Sequence, residues 1–144
     1  MLDYQYFMQQ ALGQAEKALR CDEVPVGAII LNSKGEILSR AYNLVEKKKS
    51  QIAHAEILAI EKACKKLGDW RLEGCIIFVT LEPCSMCIAA IQLSRISKLV
   101  YGAASPKYGY KVFSGKSKLE IEENILASES AKLLRLFFKK KRKK

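Results

Sequence analysis

The chain has one histidine, His54, and it stands two residues before Glu56 in the stretch AHAE; further on, EPCSMC places Cys84 and Cys87 three residues apart behind Pro83. An imidazole nitrogen and two thiolates are ligands of borderline softness that suit tetrahedral zinc. Three protein ligands leave a fourth position open. A structural zinc site closes with four, whereas a catalytic one keeps a place for water and lowers the pKa of that water to about 7. A carboxylate two residues from a ligand, as Glu56 is, can take the proton of that water and pass it to a leaving nitrogen. The chemistry so described is hydrolytic deamination. Other readings exist for each half alone: a single histidine is commonly a packed or surface residue, and a C-x-x-C pair also serves redox chemistry. A purely structural zinc would need a fourth ligand, and Cys21, Cys64 and Cys75 lie far from the pair in sequence.

Such ligands act together only if secondary structure brings them together. Residues 53–67 carry helical periodicity ending at Gly68, and residues 84–93 a second helical pattern behind Pro83, so both ligand sets are expected in the first turn of a helix. There the free N–H groups favour thiolate and disfavour protonated imidazole. Upstream, Tyr4, Phe7, Met8, Ala11, Leu12, Ala15 and Leu19 recur at helical spacing over residues 3–20, with Asp3 as the expected N-cap. Residues 26–32 and 36–43 read as a hairpin around the turn SKG, followed by a polar loop, EKKKSQ. CIIFVT (75–80) reads as a buried central strand, 98–103 as another, 119–122 as a short last one, and 128–140 as a final helix. Alternating strands and helices of this kind predict a three-layer α/β domain on one mixed sheet.

The composition agrees with one domain, since 144 residues, 49% of them hydrophobic, support a single core. No secretory signal or membrane span is legible, so a cytoplasmic chain with no membrane partner is expected, its five cysteines reduced. The net charge of +10 favours a polyanionic partner. The terminal run KKKRKK (139–144) fits phosphate binding or a solvated tail equally, with an import signal or an anionic membrane surface as lesser readings.

H-x-E followed by P-C-x-x-C, present here as HAE (54–56) and PCSMC (83–87), is the signature of zinc nucleobase deaminases. With EVPVGAII (23–30), AHAEILAI (53–60), VTLEPCSMCIAAIQLSRI (79–96) and VYGAASPK (100–107), the chain resembles the bacterial tRNA-specific adenosine deaminases of the TadA type, in the cytidine and deoxycytidylate deaminase superfamily. The likeness runs from the first helix to LLRLFFKKKR. It implies a three-layer α/β/α cytidine-deaminase-like fold with a central mixed sheet of about five strands. It also implies a homodimer that converts the wobble adenosine in the anticodon stem-loop of an arginine tRNA to inosine. By matching position it implies one Zn2+ per subunit on His54, Cys84 and Cys87, and proton shuttling by Glu56. Substrate contacts are expected at Asn43, Ala55, Ser105, Lys107, Phe137 and Phe138, although one of the two phenylalanines is expected to serve core packing. Residues 1–138 are then a single deaminase domain and residues 139–144 a basic tail.

Two segments depart from the family pattern. Relatives read DPTAHAE and DPK where this chain has SQIAHAE (50–56) and SPK (105–107), so an uncharged Ser105 replaces an aspartate that faces RNA. The 108–119 segment is shorter than in relatives and lacks their histidine. Two alternatives therefore stand beside a tRNA enzyme: a deaminase of a free base or nucleoside such as guanine, cytosine or cytidine, and a non-catalytic RNA-binding partner subunit. Basic charge speaks against the first and the presence of Glu56 against the second.

Overall fold

The structure, a computed structural model, describes residues 2–113 and 119–142. Its chain order is α1 (Tyr4–Arg20), β1 (Gly27–Leu31), β2 (Ile37–Tyr42), α2 (Val45–Lys48), α3 (Ala55–Leu67), β3 (Ile76–Leu81), α4 (Ser85–Leu93), β4 (Lys98–Ala103), α5 (Tyr110–Phe113), β5 (Glu120–Glu122) and α6 (Ala127–Arg142). The strands form one mixed sheet in the order β2-β1-β3-β4-β5. β1 is antiparallel to both β2 and β3, while β3–β4 and β4–β5 pair in parallel. It follows that β2, β3, β4 and β5 all run one way, and their carboxyl ends share one edge of the sheet with the start of β1. Ligand sites in α/β sheets gather at such an edge.

Side chains on successive strand positions point to opposite faces, and that alternation builds two cores. Ile29, Leu31, Phe78 and Val100 meet Met8, Ala11 and Leu12 of α1 and Leu133 of α6. Ala28, Ile30, Ile77, Val79, Leu99 and Tyr101 meet Ala59, Ile60 and Ala63 of α3 and Ile88 and Ile91 of α4. The result is the three layers expected. Phe78 is fully buried under the rings of Tyr4 and Phe7, with centroids 5.9 and 5.6 Å away, a burial that stabilises by ~1.5–3 kcal/mol.

Local chemistry explains most element ends. Asp3 caps α1 by accepting the Tyr6 N–H at 3.1 Å, and the side chain of Asn32 organises the hairpin turn by accepting from the N–H groups of Lys34 and Glu36. Three expectations need correction. α3 and α4 begin at Ala55 and Ser85, so His54 and Cys84 are N-cap residues and lie just outside the first turn. Part of the polar EKKKSQ loop folds into α2, because the buried carboxylate of Glu23 accepts the N–H groups of Glu46 and Lys47 at 3.0 and 2.8 Å. α5 was not foreseen. The basic residues Lys139–Arg142 form the last turn of α6; Lys143 and Lys144 lie outside the described residues, as do positions 114–118 of the 108–119 segment.

α1 seats on β1 through Gly27. A Cβ there would overlap the carbonyl oxygen of Ala11 and the amide nitrogen of Ala15, backbone atoms that cannot swing aside. Gly27→Ala is therefore expected to lift α1 and cost ~1–3 kcal/mol, read as a lower midpoint in thermal unfolding. An unchanged midpoint would mean that α1 is not held against the sheet at this point.

Candidate metal centre and its cavity

His54 and Cys84 occupy equivalent positions at the starts of two neighbouring helices. Each has an extended N-cap conformation, with φ/ψ of −77°/151° and −74°/175°, and neither side chain caps its own helix. Their carbonyls accept the first helical bonds instead, from Leu58 at 3.0 Å and Ile88 at 2.9 Å. The imidazole and the thiol are thereby left free to project beyond the helix ends. Cys87, buried in the first turn of α4, completes the group.

Nδ1 of His54 lies 3.8 Å from Sγ of Cys84 and 3.4 Å from Sγ of Cys87. Tetrahedral zinc with Zn–S near 2.3 Å and Zn–N near 2.05 Å requires N···S separations of about 3.6 Å, which these two distances bracket. The donor set therefore fits the metal. The Cys84 thiol is held down at about 4, first by the hydrogen bond from the Cys87 thiol and also by His54, so a thiolate is available; Cys87 is pushed up by the same pairing. His54 departs from the expected direction, its pKa raised because the neighbouring Cys84 outweighs burial.

Glu56 is 4% exposed in the first turn of α3. Burial lifts its carboxyl to about 7, against the opposing charge of His54. It lines the same cavity, of about 820 Å3, as His54 and Cys84.

The cavity wall gathers most of the remaining expected residues. Asn43, Ser105, Lys107, Phe137 and Phe138 all line it. Asn43 follows β2, and its Oδ1 accepts the Ala55 N–H at 2.7 Å, so what its amide offers the cavity is the Nδ2 donor pair. Ala55 lies behind this contact, fully buried, and is not part of the lining. The two phenylalanines separate: Phe137 is buried under the Lys141 ammonium, while Phe138 is 49% exposed.

Two buried acids were not foreseen. Glu23 holds α2 on one side of the cavity, as described above. On the other side Glu82, 5% exposed, accepts the N–H groups of Ser105 and Lys111 at 3.1 and 3.2 Å, fixing the loop after β4. The only local signal was an acid one or two residues before a proline in an apolar stretch, in LEPC and EVPV.

Residues 1–103 match the family described as the cytidine and deoxycytidylate deaminase zinc-binding region. The chain is 43% identical to the tRNA-specific adenosine deaminase of Bacillus subtilis, over 100% of this chain and 94% of that protein. It is 44% identical to the tRNA-specific adenosine deaminase of Aquifex aeolicus, over 96% and 95% respectively. Among solved structures, one from work on A-to-I editing by tRNA:A34 deaminases at the wobble position of transfer RNA superposes with a TM-score of 0.84. It is 39% identical and covers 90% of this chain and 99% of that one.

Proposed function

Because this chain belongs to the cytidine and deoxycytidylate deaminase zinc-binding family, and within it to the tRNA-specific adenosine deaminases, we propose that it converts the wobble adenosine of a tRNA anticodon, that of an arginine tRNA, to inosine. The observation that carries this reading is the clustering of His54, Cys84 and Cys87 beside a cavity that His54, Cys84 and Glu56 line. One zinc per chain is held by His54, Cys84 and Cys87. When bound, zinc supplies a Lewis acid that lowers the pKa of water to about 7.

Glu56 is the proton carrier: it takes a proton from the attacking water and returns it to the departing amino group. Water and adenosine enter, inosine and ammonia leave, and the carboxylate ends as it began. Asn43 donates from Nδ2 to an acceptor on the purine ring, an orientation that its bond from Ala55 enforces. Ser105 bonds a ribose hydroxyl without charge, and Lys107 and Phe138 face the RNA around it. The basic residues at the end of α6 neutralise phosphates, in keeping with the net charge of +10. The assembly is a homodimer, as the family resemblance implies, working in the cytoplasm where tRNA is found. No described helix is long and apolar enough to cross a membrane.

A base must leave its stack to reach Glu56, which is easiest in a single-stranded loop and costs a few kcal/mol in a duplex. An anticodon stem-loop with adenosine at the wobble position is therefore expected to be deaminated much faster than the same sequence in a paired stem. Free adenosine, guanine, cytosine and cytidine are expected to react poorly. Sequencing bulk tRNA after incubation locates the product, since inosine reads as guanosine. Equal rates on loop, stem and free adenosine would leave a zinc deaminase of another substrate.

A further inference from the structure

Between Ala103 and Tyr110 the chain turns across the cavity mouth, and its backbone is tied down at both ends. Glu82 accepts from Ser105 N–H and Lys111 N–H, the Gly109 N–H donates to the Ser105 carbonyl at 3.0 Å, and the Tyr110 N–H donates to the Pro83 carbonyl at 2.8 Å. Gly109 lies so close to Glu82 that a Cβ would overlap its carboxylate. Tyr110 is buried with its ring edge on Tyr101, and Lys111 pairs with Glu123, which also accepts the Tyr101 hydroxyl at 2.8 Å. The loop is thus fastened to the segment that carries Cys84, and its tip, Pro106, Lys107 and Tyr108, faces solvent, as does Ala104 at its start.

Tyr108 is 68% exposed at this tip and lines the cavity that holds His54 and Glu56. Its ring contributes little to the core, so folding does not explain an aromatic there. A base that enters the cavity leaves its neighbours in the strand at the mouth, unstacked. A ring held on a fixed backbone can take one of those neighbours at small entropic cost.

We infer that Tyr108 is a stacking platform for the nucleotide adjacent to the target adenosine, an inference that rests on the RNA reading above. Lys107, beside it, adds charge for the adjoining phosphate. Base–aromatic stacking of this kind tolerates any base, so Tyr108 sets affinity for single-stranded RNA and leaves base choice to the cavity.

The test uses the full chain and anticodon stem-loops carrying 2-aminopurine at the position flanking the target adenosine on either side. Tyr108→Ala is expected to raise KM for the stem-loop by about 5- to 150-fold, with a smaller effect on kcat, and to abolish the fluorescence quenching seen when the wild type binds. Tyr108→Phe is expected to keep both the KM and the quenching, because the ring face is retained. An alanine variant that matches the wild type in KM and quenching overturns the stacking role while the deaminase reading stands. A phenylalanine variant as impaired as the alanine one overturns it too, since the hydroxyl would then carry the contact. A wild-type chain with no activity on the stem-loop overturns both.

Discussion

Glu56→Ala is expected to hold zinc and stem-loop RNA as the wild type does, while turnover falls by ~10²–10⁴-fold, the contribution of a positioned acid–base group. The reasoning is geometric. Glu56 lies in the first turn of α3, nearly sealed from solvent, at the cavity to which His54 and Cys84 contribute. None of the three ligand atoms belongs to it, so its removal leaves the metal set intact. A methyl group there cannot carry the proton that must move from water to the leaving nitrogen. The loss therefore falls on kcat, which single-turnover deamination reads, alongside zinc analysis and filter binding of the same preparation. If zinc and RNA affinity disappear together with activity, Glu56 holds the site together and is no proton carrier.

The second large effect is expected from the ligands themselves. His54→Ala and Cys87→Ala should each lose zinc, and with it measurable deamination, and both should unfold at a lower temperature than the wild type. Removing even outer partners of a bound metal commonly costs ~10–100-fold in affinity, and loss of one of only three protein ligands should cost more. The fold is touched as well, because two helix starts would face each other with polar groups lacking their common partner. Chelation of the wild-type protein should reproduce the loss of activity, and added zinc should restore the wild type but neither variant. Full activity in metal-free protein would sink the zinc mechanism.

The different legibility of these residues has a physical basis. α1 could be read because apolar positions recurring every three to four residues, with Asp3 in front, are a property of neighbours along the chain. The same is true of the hairpin, where Asn32 and the SKG turn act within five residues. The periodicity makes His54 the second residue of its helix and Cys84 the first, yet both are N-caps, because the sequence marks where helical periodicity begins and does not mark which residue keeps extended dihedrals. α2 has no local signature because its stabilising acceptor, Glu23, lies 23 residues upstream, beyond the reach of any local pattern.

The chemistry of the centre is written in the chain itself: ligand types, their spacing, and a carboxylate beside them are covalent facts that any fold placing the two helix starts together must inherit. Tertiary structure decided how that chemistry is enclosed. β1 runs antiparallel to both of its neighbours, which turns the carboxyl ends of β2, β3 and β4 to one edge and delivers Asn43, Cys84 and Ser105 to the same cavity. Contacts across that edge then fixed the rest. The amide of Asn43 is oriented by Ala55, Phe137 is turned inward while Phe138 is left at the wall, and Glu82 holds the loop that carries Tyr108. Each of these depends on a partner made adjacent only by strand order and helix packing, and so no stretch of sequence contains it.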